Sequence, residues 1–153
     1  MIFSAHALVG AAVASKTQNP LLGLLFALAS HYMLDLIPHK EYISFSKDPV
    51  KNKFKFTFRK IFLIGLDLSL GGYLLWFLTK QNLMLITAGI IAGLPDSDNL
   101  ANLYPGILKI KLIRLHFDFH EKIHFLSAKK MPLFWKIQSQ VVVILSAIFF
   151  LLQ

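Results

Sequence analysis

Residues 21–39 read LLGLLFALASHYMLDLIPH. Leu21 to Pro38 is an apolar run close to the ~20 residues a helix needs to cross a hydrocarbon core. Yet the run carries His31 and Asp35, and His39 follows Pro38. Residues four apart share one helix face. Ionisable groups inside an apolar segment are costly, and they usually face a functional interior. The stretch therefore raises two expectations together: helices that use lipid as their solvent, and a polar site built between them.

The rest of the chain extends both. Four more apolar runs occur, at Phe3–Ser15, Ile61–Thr79, Leu83–Leu94 and Phe134–Leu152. By length, the runs beginning at Leu21, Ile61 and Phe134 qualify as spans or nearly so, whereas the first and fourth fall short. A short run can end below the membrane surface only if protein or an ion satisfies its last polar groups. Of the 153 residues 56% are apolar and 16% charged, against about 25% charged in an ordinary soluble domain. Mean hydropathy is +0.60. This excludes a disordered chain, a collagen-like repeat and a typical soluble enzyme. The length predicts a single domain over residues 1–153. There is no cysteine, so disulfides, thiolate metal sites and cysteine catalysis are excluded. The start, MIFSAHALVG, lacks the basic region of a signal peptide and is read as uncleaved.

The formal charge is +8, but the cations are not scattered. Residues 40–60 hold seven, residues 109–136 hold seven, and only Lys16 and Lys80 remain in other turns. The positive-inside rule makes both basic segments cytoplasmic. A five-segment path then alternates, with the N-terminus on the cytoplasmic side and the C-terminus outside. The basic surplus is topogenic and suited to anionic lipid head groups. No recognisable motif points to nucleic acid, and none is expected as a partner.

Depth along the helices brings the polar residues together. Counted from the outer turn at 17–20 at about 1.5 Å per residue, His31 lies about 17 Å up, Asp35 about 22 Å, and His6 about 17 Å on the first helix. Asp96 lies about 20 Å up the fourth helix. Asp67, entering from the cytoplasmic side, lies at about 20 Å too, within a core about 30 Å thick. Five polar residues from four segments are thus expected at one level near the cytoplasmic leaflet. The segment HFDFHEKIH, residues 116–124, adds His116, His120 and His124 at four-residue spacing. It is expected to lie over the cluster as an interfacial helix. Taken singly, each side chain has a plainer explanation: a helix cap, an internal hydrogen bond, a head-group contact. Together, imidazole nitrogens and carboxylate oxygens suit zinc, manganese or iron, as one ion or two. The 14 phenylalanines read as lipid-facing packing.

The stretches AHALVGAAVAS (5–15), SHYMLDLIPH (30–39) and GLPDSDN (93–99) resemble the YdjM-like membrane-bound metal-dependent hydrolases of the inner membrane. That group is considered distantly similar to zinc-dependent phospholipase C and the P1-type nucleases. The resemblance covers about residues 3–125. It implies metal ligands at His6, His31, Asp35, Asp96 and Asp98. The chain departs from the group at Asn99, where a histidine is frequent. It also departs at His120-Glu121-Lys122-Ile123-His124, the nearest counterpart of a His-Arg-Gly and Thr-His-Ser pair.

The resulting expectation is an all-α membrane bundle of about five helices plus a cytoplasmic interfacial helix. It would act as a metal-dependent hydrolase of a prokaryotic cytoplasmic membrane, on an ester, foremost a phosphoester such as a lipid head group. His6, His31, Asp35, His39, Asp96 and His124 are the expected ligands of a divalent metal, zinc first. His120 completes the metal site or stabilises developing negative charge. Asp67 or Asp98 serves as base or as an orienting residue. Two other classes fit the same residues. One is a metal-binding or ion-transporting membrane protein without chemistry; the other is an assembly factor whose polar residues lock helix packing.

Overall fold

A computed structural model of the chain describes residues 1–40, 57–97, 105–124 and 131–153. The described residues are helical, with no strand among them. Six α-helices follow one another: α1 Phe3–Ser15, α2 Pro20–Asp35, α3 Phe58–Leu78, α4 Leu83–Gly93, α5 Lys111–Ile123 and α6 Leu133–Leu152. A 3-10 turn at residues 94–97 extends α4, and a second, Pro105–Lys109, precedes α5.

Helix α1 is the hub, and α2, α3, α4 and α6 all pack on it. Its sequence FSAHALVGAAVAS is apolar or small all round, the composition of a helix enclosed by others. Ala5, Ala7, Leu8 and Ala11 are fully buried. Small residues let helix backbones approach closely, and the α1–α4 contact uses this fully. A Cβ on Gly10 would overlap Ala92 Cβ and meet Ala88 O at 3.0 Å; one on Gly89 would meet Ala7 O at 2.8 Å.

Capping residues fix where the helices begin. Asn19 accepts from the backbone N–H groups of Leu21 and Leu22, with Pro20 in the first turn, where a missing N–H costs nothing. Asn82 caps α4 in the same way through Met84 and Leu85. The α3–α4 turn places Lys80 and Gln81 at positive φ, 51° and 62°. The helix starting at Pro20 stops at Asp35, short of the expected run to Pro38. Proline disfavours helical geometry in the residue before it, so 36–40 leaves the helix and turns back over its end. Among the described residues, two helices are long and apolar enough to cross a membrane, α3 and α6, and α2 with its 16 residues is not one of them.

Only 11% of the apolar window of α3 or of α6 is buried. Core helices of a soluble protein would be mostly covered. Here large apolar side chains such as Phe58, Phe62, Tyr73, Phe77, Phe134 and Phe149 face outward, each more than half exposed.

Candidate metal centre

Three helix ends meet at one end of the bundle. His6 lies one turn into α1, Asp35 closes α2, and Asp96 lies in the 3-10 turn that follows α4. The Gly10–Ala92 contact sits one turn from His6 on α1 and one turn from Asp96 on α4, so the close approach of these helices sets the distance between the two side chains. Helix α5 lies over this end and contributes His120 and His124.

Asp35 is the centre of the cluster. It is fully buried, as are His6, His31 and His120. Its Oδ2 faces His31 Nε2 at 2.9 Å, His120 Nε2 at 3.0 Å and His124 Nε2 at 3.3 Å. Its Oδ1 faces His6 Nε2 at 3.3 Å and His39 Nε2 at 3.7 Å, and accepts from the Met1 amino group at 2.6 Å. Asp96 Oδ2 lies 3.7 Å from His6 Nε2, and its Oδ1 lies 4.0 Å from His31 Nε2. Its side chain, 24% exposed, is the most open of the group.

The imidazoles are oriented from behind. The carbonyl of Ala92 accepts from His31 Nδ1 at 2.7 Å, and the carbonyl of Ile37 accepts from His39 Nδ1 at 2.7 Å. A carbonyl can only accept, so each ring carries its proton on Nδ1, and when neutral directs the Nε2 lone pair into the cluster. This is the arrangement of metal-binding histidines, whose outer nitrogen is held by a carbonyl or carboxylate. The inner nitrogens crowd one another: His120 Nε2 lies 3.0 Å from both His31 Nε2 and His124 Nε2. Neither ring nitrogen of His6 makes a hydrogen bond, although both are buried. Buried polar atoms without partners are costly. Lone pairs converging on a buried carboxylate are stabilised by a cation between them. The cluster can hold a metal ion. Two four-residue sets have ligand atoms within 4.8 Å of one another: His6, His31, Asp35 and Asp96, and Asp35, Asp96, His120 and His124.

The structure thus gathers His6, His31, Asp35, His39, Asp96, His120 and His124. His39 approaches Asp35 but belongs to neither four-residue set. His120 stands among the candidate ligands, the first of the two roles expected of it. Asp67 does not join the cluster. Its carboxylate accepts from Phe3 N at 2.8 Å and from Ser4 N and Oγ at 3.3 and 2.5 Å, capping the start of α1. The depth estimate gave its height but not its direction around α3, and first-turn N–H groups of α1, which have no acceptor within the helix, claim its oxygens. It supports the site one step removed, by holding the helix that carries His6. Asp98 lies outside the described residues. His116 points to Tyr32, whose hydroxyl lies 3.1 Å from His116 Nε2.

Several participants carry no signature as sequence motifs. The Ala92 carbonyl and the Met1 amino group are backbone groups. Ser139 and Gln140 in α6 donate to the carbonyls of Pro38 and Lys40, each at 2.7 Å, and so pin the segment that presents His39. Their one trace in the sequence is the polar triplet Gln138-Ser139-Gln140 within an apolar run. Comparisons with protein-family models, curated proteins and solved structures found no match to this chain.

Proposed function

We propose that the protein is a metal-dependent hydrolase embedded in a prokaryotic cytoplasmic membrane, of the YdjM-like kind, acting on an ester and foremost a phosphoester such as a lipid head group. One observation carries the reading: five imidazoles and two carboxylates, drawn from four helices and the segment after α2, converge on one buried point. Such a set is expensive to bury without a cation.

His6, His31, Asp35, Asp96, His120 and His124 would hold the ion. The donors are nitrogen and oxygen without sulfur, which suits zinc, with manganese and iron as alternatives. When bound, such an ion supplies Lewis acidity and lowers the pKa of water towards neutrality. The chain's own residues do the rest. Ala92 and Ile37 hold His31 and His39 in the tautomer that presents Nε2. Full burial on the His6, His31 and Asp35 side excludes bulk water there, leaving the Asp96 side as the approach for substrate. Tyr32, on α2, packs edge-on against His31 and His120 and fixes their rings where α2 meets α5.

The outward apolar faces of α3 and α6 support a lipid setting, because exposed apolar area on this scale is foreign to soluble monomers. Lys16 and Lys80 lie in the turns at the end away from the cluster, whereas Lys40 directly follows His39 and Lys122 lies between His120 and His124. By the positive-inside rule the site then faces the cytoplasm.

The test is elemental analysis of purified protein that has never met chelator. Stoichiometric transition metal, lost in His31→Ala and Asp96→Ala without loss of helicity, supports the reading. A metal-free protein overturns it. A panel of phosphoesters and carboxyesters then separates hydrolysis from metal binding without chemistry.

A further inference from the structure

We infer that the centre is built for two ions, bridged by Asp35 and Asp96. The inference rests on the metal-centre reading above and specifies its nuclearity.

The donor set is too large for one ion. Five imidazole Nε2 atoms and four carboxylate oxygens lie together, whereas zinc takes four or five ligands and related ions about six. The set also divides. The two candidate groups share both carboxylates but no histidine: His6 and His31 complete one, His120 and His124 the other. Each carboxylate offers an oxygen within 4.8 Å of the ligand atoms of both sets. Asp35 turns Oδ1 to His6, and Oδ2 to His31 of the first set as well as to His120 and His124 of the second. Asp96 turns Oδ2 to His6 and Oδ1 to His31.

The two halves are held differently. The first draws only on α1, α2 and the end of α4, which pack closely through small residues. The second takes both histidines from α5. The buried apolar residues there, Leu108 and Phe117, form their own cluster with Ile107 and Ile113, apart from those of the bundle. The first ion therefore meets a preformed cage, and the second helps tie α5 to the bundle. The first binds more tightly.

Charge links nuclearity to substrate. One divalent ion offsets the two carboxylates, leaving among neutral imidazoles only the charge of the Met1 amino group. A second divalent ion adds a further charge of +2, which attracts a phosphoester anion.

The experiment uses full-length protein in detergent, never exposed to chelator, with metal measured against amino-acid analysis. Chelator-treated protein is then titrated with Mn(II) and followed by electron paramagnetic resonance. Two ions per chain are expected, with unequal affinities and an exchange-coupled signal at full loading. His120→Ala/His124→Ala is expected to retain one ion with the six-line spectrum of isolated Mn(II). A single ion in the wild type with no coupled signal would overturn the bridged pair while leaving the metal centre standing. No ion in the wild type would overturn both. The wild-type stoichiometry and coupling decide the matter even if the double variant fails to fold.

Discussion

Asp35 is the residue on which the site turns, because six nitrogen atoms from six other residues approach its two oxygens. Asp35→Asn keeps the shape but removes the charge and replaces one oxygen by a donor amide. Bound metal should fall below one ion per chain by elemental analysis, with the far-ultraviolet circular dichroism of a folded helical protein retained. Retention of full metal content by this variant would count against the cluster as a metal centre. Asp67 answers differently. Its carboxylate takes three hydrogen bonds from the start of α1, so Asp67→Ala leaves those donors unmet and should lower stability by about 1–3 kcal/mol in denaturant unfolding. Its metal content should respond only as far as α1 shifts His6. The four-residue spacing within 31–39 made His31, Asp35 and His39 legible in the sequence, and helix depth added His6 and Asp96. The role of Asp67 was not legible, since a helix position fixes depth far better than direction across a bundle.

Among the elements, the boundaries of α1, α4 and α6 follow the apolar runs closely because Asn, Pro and Gly punctuation is strong there. Helix α2 is shorter than its run because Pro38 acts backwards on the residue before it. The capping geometry gives a quantitative check. Asn19→Ala removes an acceptor for two N–H groups at the start of α2 and should cost about 1 kcal/mol. Helix α5 offers a second check, because half of one ligand set lies on it and its apolar residues pack among themselves. Metal removal should therefore raise amide hydrogen exchange in α5 well before it does so in α1. Equal protection of both helices after chelation would mean that packing alone holds α5. What the sequence could not convey here is tertiary: the tautomers of His31 and His39 depend on carbonyls of Ala92 and Ile37, which every residue type carries alike.

At the scale of the whole molecule, the proposed membrane setting makes an orientation claim. The chain contains no cysteine, so Lys16→Cys and Lys80→Cys each introduce a unique thiol in the two turns away from the site. Both should react with a membrane-impermeant maleimide added outside intact cells, and Lys122→Cys should react only after permeabilisation. A reversed pattern would place the centre on the outer side. Stability should also depend on metal. Free ion at a hundred times its dissociation constant stabilises a folded state by about 2.7 kcal/mol, so chelator-stripped wild type should gain melting temperature on adding zinc, and Asp35→Asn should not. The contact between Gly10 and Ala92 has a consequence of its own. It lies one helical turn from two of the putting-together points of the cage, His6 and Asp96, and contains no atom that could ligate anything. A methyl group added at position 10 acts as a shim between two rods, widening the opening at their ends. Ion-size preference could in this way be retuned from a spot that never touches the ion.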